Sequence, residues 1–335
     1  MTATELPTDP ALVPGGIEHY LRRELPDGGL IEFEQAPAGW IAQNGEVRRK
    51  PHRAYYFTAP ERGCEFCSGS GRVEGKTPRG RKCSLCDGAG RILKRQRFVS
   101  VTTLLDSICP KPGLAHWSEA RGIEGAVAAI HLGLITPATS PADAVKVVRS
   151  NRLGAEAIRD LAADRGLNVH ALLEEYMRTG KAPRLAGHPA EHHGYIQGMT
   201  RFLLEVDPEP VAVEQLVAHP EHNYAGRMDL RARAKRLCAG LVTFDAKTQE
   251  NAGIYLAAHA QVNLYERAAV RCGDEAADRL MVVVFAANGE YRMMPADHDA
   301  TLVDVALAFY RAVKPIDSAC ESANRVERET RKAAA

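Results

Sequence analysis

The sequence predicts an α/β (α+β) chain, a central mixed β-sheet flanked by helices, and three observations carry that prediction. Runs with strand character fall at 211–217, 224–233, 241–248 and 279–286, and the first and last of them are apolar over most of their length. Segments with helical periodicity fall around them, at 114–133, 141–150, 154–178, 189–206, 251–271 and 298–313. Their interleaving is the pattern of a sheet layered against helices, and 335 residues with 45% hydrophobic content suffice for a sizeable core.

Taken in order, residues 1–30 hold four prolines and paired glycines and read as irregular. Strand-like pieces at 30–34 and 40–42 extend this to an N-terminal irregular and β region over 1–57. Segments 53–57 and 97–101 also have strand character, and between them lies a repeat of the pattern Cys-x-x-Cys-x-Gly-x-Gly. Its thiols are Cys64 and Cys67 in the first copy, Cys83 and Cys86 in the second. Each copy supplies two thiolates at a chelating turn, and its glycines allow close backbone approach. Four sulfurs make a closed tetrahedral Zn²⁺ site, structural rather than catalytic, so 58–97 is expected to be a zinc finger at the tip of a hairpin. Arg79, Arg81, Lys82, Lys94, Arg95 and Arg97 cluster around it, a concentration that suits contacts to the phosphates of DNA. Residues 98–315 form the core in this division, and 316–335 are a charged, alanine-rich tail with no assigned role.

With 43 basic and 42 acidic residues the net charge is +1, which excludes a global polycation, so DNA affinity must come from local patches. The first residues lack the basic and apolar regions of a signal peptide, and the longest apolar run, 280–287, is too short for a membrane span and reads as a buried strand. Together with thiols in metal-binding spacing, this leads us to expect a cytoplasmic protein with no membrane partner.

The chemistry concentrates in 224–265. Side chains alternate across a strand, so Asp245 and Lys247 share one face while Ala246 points away. If 224–233 pairs antiparallel with 241–248, Asp229 joins them from the neighbouring strand. Two carboxylates and an ammonium on one spot form a hard-oxygen site for Mg²⁺ or Mn²⁺, with a lysine able to orient or deprotonate water during phosphodiester cleavage. In the following helix Gln261 and Tyr265 lie one turn apart, able to bond phosphate or base edges. Upstream, His170 and Glu174 share a helix face.

The ordered set, His170 in a Gly-x-x-x-His helix, then Gly226-x-x-Asp229, then Asp245-x-Lys247-Thr248, then Gln261-x-x-x-Tyr265, resembles the RecB-like branch of the PD-(D/E)xK nuclease superfamily. The segment 100–105 and the run 114–117 look like the opening of its phage-type exonucleases, and the resemblance covers roughly 98–290. It implies a restriction-endonuclease-like core in which His170, Asp229 and Asp245 are metal ligands, Lys247 is the catalytic lysine, and Gln261 with Tyr265 faces substrate. Glu214 corresponds to an acidic residue often found on the preceding strand, a further metal-ligand candidate. The cysteine repeats resemble the zinc module of DnaJ-type chaperones, with no J-domain signature. Some RecB-like relatives carry an iron–sulfur cluster instead, on cysteines that flank the nuclease domain with a group near its C-terminal end. Here Cys238, Cys272 and Cys320 are scattered singly, which favours zinc.

The resemblance implies an exonuclease acting at DNA ends in recombination, repair or phage replication, with a recombination or single-strand-annealing protein as a partner. The alternative is an inactive adaptor that keeps the fold and binds nucleic acid or protein through its finger. Retention of Asp229, Asp245 and Lys247 together argues against that alternative.

Overall fold

A computed structural model describes residues 19–36, 52–59, 62–63, 70, 72–73, 81–82, 91–92, 95–109, 113–250, 255–296 and 298–333. Three of its strands form an N-terminal meander: β1 (His19–Glu24), β2 (Leu30–Ala36) and β3 (His52–Thr58) pair antiparallel in sequence order. Residues 19–24 therefore depart from the irregular segment expected for 1–30. Their backbone is satisfied by a six-residue ladder on β2, a partner that local composition does not reveal. The strand expected at 40–42 lies outside the described residues.

β3 pairs with β8 (Arg95–Ser100), so the segments on either side of the cysteine repeats are the two arms of a hairpin. Between them, β4 (Arg62–Gly63) pairs with β7 (Arg91–Ile92), and β5 (Arg72–Val73) with β6 (Arg81–Lys82). The four cysteines, with Arg79 and Lys94, lie outside the described residues.

β8 runs parallel to the start of β10 (Tyr224–Arg233), which joins the N-terminal meander to the core strands in one nine-stranded mixed sheet. β10 pairs antiparallel with β9 (Glu209–His219) and with β11 (Leu241–Gln249). β11 is parallel to β12 (Arg279–Ala286), which is antiparallel to the edge strand β13 (Tyr291–Pro295).

The helices are α1 (Val101–Ile108), α2 (Leu114–His131), α3 (Pro141–Ser150), α4 (Ala155–Thr179), α5 (His193–Val206), α6 (Leu256–Arg271) and α7 (Ala300–Ala333). α1 starts where strand character was read through residue 101. Ser100 stops the strand by capping the helix, its Oγ accepting the Thr103 N–H at 3.0 Å. α7 continues through Pro315 well past the expected end at 313, and 251–254, expected to open the helix before residue 271, lie outside the described residues.

β12 explains the architecture. Met281, Val283 and Phe285 face α4 and α5, while Leu280, Val282 and Val284 face α6, so the strand is apolar throughout because both its faces are covered. Phe202 of α5 is fully buried against Phe244 and Phe285, a burial that contributes about 1.5–3 kcal/mol. On the other face, α1, α6 and α7 close over β8, β9 and β10. No helix among the described residues is long and apolar enough to cross a membrane.

Candidate metal centre

The candidate site forms where two strands part. β10 and β11 pair only over Leu230–Arg233 and Leu241–Phe244, after which β10 turns toward β8. At the split the Asp229 carboxylate takes over from the lost ladder, its Oδ2 accepting the Ala246 N–H at 2.7 Å. That bond holds Asp229 beside Asp245 and Lys247, while Ala246 packs on the opposite face with Phe244.

The third strand brings Glu214. It lies between the pairs Met228–Gln215 and Leu230–Val213, directly across from Asp229, and its φ of 49° is in the left-handed region. A non-glycine residue held there inside a strand costs about 1–3 kcal/mol, a strain that collects at functional positions. α4 brings His170, whose Nδ1 is 3.5 Å from Glu214 Oε1 and 3.6 Å from Asp229 Oδ1. Ligand atoms of His170, Glu214 and Asp229 all lie within 4.8 Å of one another. Arg227 pairs its Nε with Glu214 Oε2 at 2.5 Å.

Asp245 is adjacent to this trio rather than part of it. Its side chain is fully buried, Oδ2 is 2.6 Å from Lys247 Nζ, and Oδ1 has no hydrogen-bond partner among the described residues. A buried carboxylate oxygen without a partner, next to one imidazole and two further carboxylates, is a donor set that fits a hard divalent cation. Glu214, secondary in the sequence, is thus closer to the geometric centre than Asp245. Glu174 pairs with Arg178 at 2.8 Å along α4.

The charges explain the titration. Burial lifts Asp245 to about 6, against the pull of Lys247 and with the push of Asp229. Burial opposes the charge on His170, but Asp229 and Glu214 outweigh it and raise its pKa. Burial likewise opposes the Lys247 ammonium, which Asp245 and Asp229 hold charged. Three carboxylates thus face two fixed cations, Arg227 and Lys247, and a histidine that tends to take up a proton.

Gln261 and Tyr265 are more enclosed than a substrate-facing pair, 9% and 4% exposed, and Gln261 Nε2 donates to the Tyr265 hydroxyl at 3.1 Å. Burial raises the phenol's pKa well above its usual value, with Tyr55, Asp229 and Asp245 adding to the effect. Their enclosure follows from α6 packing its inner face directly on β9 and β10.

Of the basic residues assigned to DNA, Arg81 and Lys82 lie in β6, and Arg97 is exposed on β8. Arg95 is engaged within the protein: it pairs with Glu32 at 2.8 Å and with Glu34, and its guanidinium sits 3.6 Å from the Tyr56 ring centroid. Sequence reasoning missed Arg227, whose signal was its place inside Gly226-x-x-Asp229. It also underrated Glu214, an acid interrupting an apolar strand.

No family model matches the sequence, and no curated protein matches it. Among solved structures, the crystal structure of LHK-Exo in complex with dAMP aligns with a TM-score of 0.32 and 10% identity, covering 68% of this chain and 94% of that one. That of an alkaline exonuclease (LHK-Exo) from Laribacter hongkongensis aligns at 0.28 and 12% identity, covering 63% and 99%. Likenesses this slight define no family, and function rests on the side chains themselves.

Proposed function

We propose that the chain is a metal-dependent deoxyribonuclease that hydrolyses phosphodiester bonds, working from DNA ends. The observation that carries this is the convergence of His170, Glu214 and Asp229 beside the buried Asp245 and its partner Lys247. His170, Glu214, Asp229 and the open Oδ1 of Asp245 would hold Mg²⁺ or Mn²⁺. When bound, such a cation supplies Lewis acidity toward a phosphoryl oxygen and lowers the pKa of water.

The chain's own residues do the rest. Lys247, kept cationic by Asp245 and Asp229, orients an attacking water and offsets the charge that develops on the phosphate. Asp229 is fixed by the Ala246 N–H, so its free oxygen needs no reordering when a ligand arrives. Arg227 holds Glu214 in place and moderates its charge. Gln261 and Tyr265, bonded to each other on α6, lie near Asp229 and Asp245.

The cysteine repeats are read as a structural zinc finger whose surrounding cations hold DNA over the site. Action on ends would suit recombination, repair or phage replication in a cytoplasm. Digestion of end-labelled linear, nicked and circular DNA with Mg²⁺ or Mn²⁺ tests the reading. Nucleotide release from linear DNA with circular DNA left intact supports it, cutting of circular DNA makes the protein an endonuclease, and no cutting of any substrate removes the assignment.

A further inference from the structure

Two residues along from the candidate carboxylates, on the same strand faces, lies a buried polar group that plays no part in the proposed chemistry. Arg231 follows Asp229 by two positions on β10, and Thr243 precedes Asp245 by two on β11, so each shares its carboxylate's side of the sheet. Both bond to Glu266 of α6. Thr243 Oγ1 donates to Glu266 Oε2 at 2.7 Å, and Arg231 reaches both Glu266 oxygens at 3.2 Å. Arg231 Nε also donates to Thr243 Oγ1 at 3.1 Å, and Glu266 Oε1 accepts the Ala277 N–H at 2.8 Å. Arg231, Thr243 and Glu266 are 2%, 0% and 3% exposed.

A buried ion pair is weak evidence for stability, because apolar residues of the same volume often serve as well. Its location suggests another purpose. The group sits on the pair Arg231–Thr243, next to the last pair, Leu230–Phe244, beyond which β10 and β11 part, so it ties the two strands together beside their divergence. One carboxylate on α6 bonds both strands there, and the same helix carries Tyr265 immediately before it and Gln261 five residues before it.

We propose that Glu266, through Arg231 and Thr243, is a positioning residue that sets the gap between Asp229 and Asp245 and thereby the divalent-cation affinity of the centre. This rests on the reading of that cluster as a cation site. Outer partners that orient ligands commonly change metal affinity by roughly 10–100-fold when removed. The strut acts through the strands and touches neither cation nor DNA.

The test measures Mn²⁺ binding to the full chain by titration calorimetry, together with the Mn²⁺ dependence of DNA degradation, for Glu266→Gln, Thr243→Val and Thr243→Ser. Val262→Ala, a buried α6 substitution away from the strut, controls for lost stability. We expect Glu266→Gln and Thr243→Val to weaken Mn²⁺ binding by roughly tenfold. Thr243→Ser, which keeps the hydroxyl, should bind as the parent does, and so should Val262→Ala despite a lower Tm. If Glu266→Gln does not fold, Thr243→Val against Thr243→Ser decides. Equal Mn²⁺ affinity in Thr243→Val and the parent overturns the strut while leaving the cation site standing. A parent chain that binds no Mn²⁺ overturns both. Mn²⁺ binding without DNA degradation removes the nuclease reading alone, and the strut is then judged on affinity.

Discussion

The ring of Tyr265 occupies the space in which a side chain at Gly226 would begin: a Cβ there would stand 2.4 Å from Tyr265 Cε1. The glycine of Gly226-x-x-Asp229 and the tyrosine of Gln261-x-x-x-Tyr265 are therefore one packing unit. The absent side chain lets α6 settle onto β10 beside the carboxylates.

Gly226→Ala should displace the buried ring and cost about 1–3 kcal/mol by overpacking. Activity should fall more than Tyr265→Phe makes it fall, since the latter removes only the bond from Gln261 and leaves the ring seated. Thermal melts and initial rates on linear DNA compare the two, and equal behaviour of Gly226→Ala and the parent would show that the contact is slack.

Asp245 gives a pH dependence. Its folded pKa of about 6 lies above an ordinary carboxylate near 3.9, so the folded state binds more protons than the unfolded chain between these values. The stability contribution is therefore complete below about pH 4 and is lost as pH rises through about 6. In chelator, Asp245→Asn should match the parent at acid pH and become the more stable protein above neutrality. Adding Mn²⁺ should restore the parent alone. Melts across pH with and without Mn²⁺ check this, and a Tm difference that does not change with pH would contradict it.

Arg95 and Arg97, neighbours in one basic run, should separate. Arg95→Ala removes one ion-pair partner of the mostly buried Glu34 carboxylate and one of Glu32, and should cost about 1–3 kcal/mol of stability with little change in the salt dependence of DNA binding. Arg97→Ala should leave stability alone and reduce the salt slope by about one. Binding titrations at several salt concentrations distinguish them, and the opposite pattern would return Arg95 to the DNA-contacting set.

The contrast between these two arginines illustrates what the sequence discloses. Asp245 and Lys247 were legible because a period of two places their side chains on one face of a strand, and Asp229 followed once its own strand was taken to pair antiparallel with theirs. The pairing of Arg95 with Glu32 and Glu34 was not, since its partners lie some sixty residues earlier on another strand. Glu214 was ranked low because its importance depends on a left-handed backbone angle and on standing across from Asp229. α1 was hidden by its β-branched opening, although the Ser100 cap was a usable signal. The mixed sheet flanked by helices was legible as a whole, because the covering of both faces of β12 writes an unbroken apolar run into the chain.

Metal analysis of purified protein should find zinc without the colour of an iron–sulfur cluster, and Cys64→Ser with Cys83→Ser should lose that zinc together with DNA affinity. Iron and visible absorbance would replace zinc with the cluster.

The most direct measurement is degradation of linear DNA with Mg²⁺ or Mn²⁺ by the parent, Asp245→Ala and Lys247→Ala, each first shown by its melt to be folded. Both substitutions should lower the rate by roughly a hundredfold or more, with metal-free reactions silent for all three proteins. Full activity in either folded variant would contradict the assignment of this centre to phosphodiester hydrolysis.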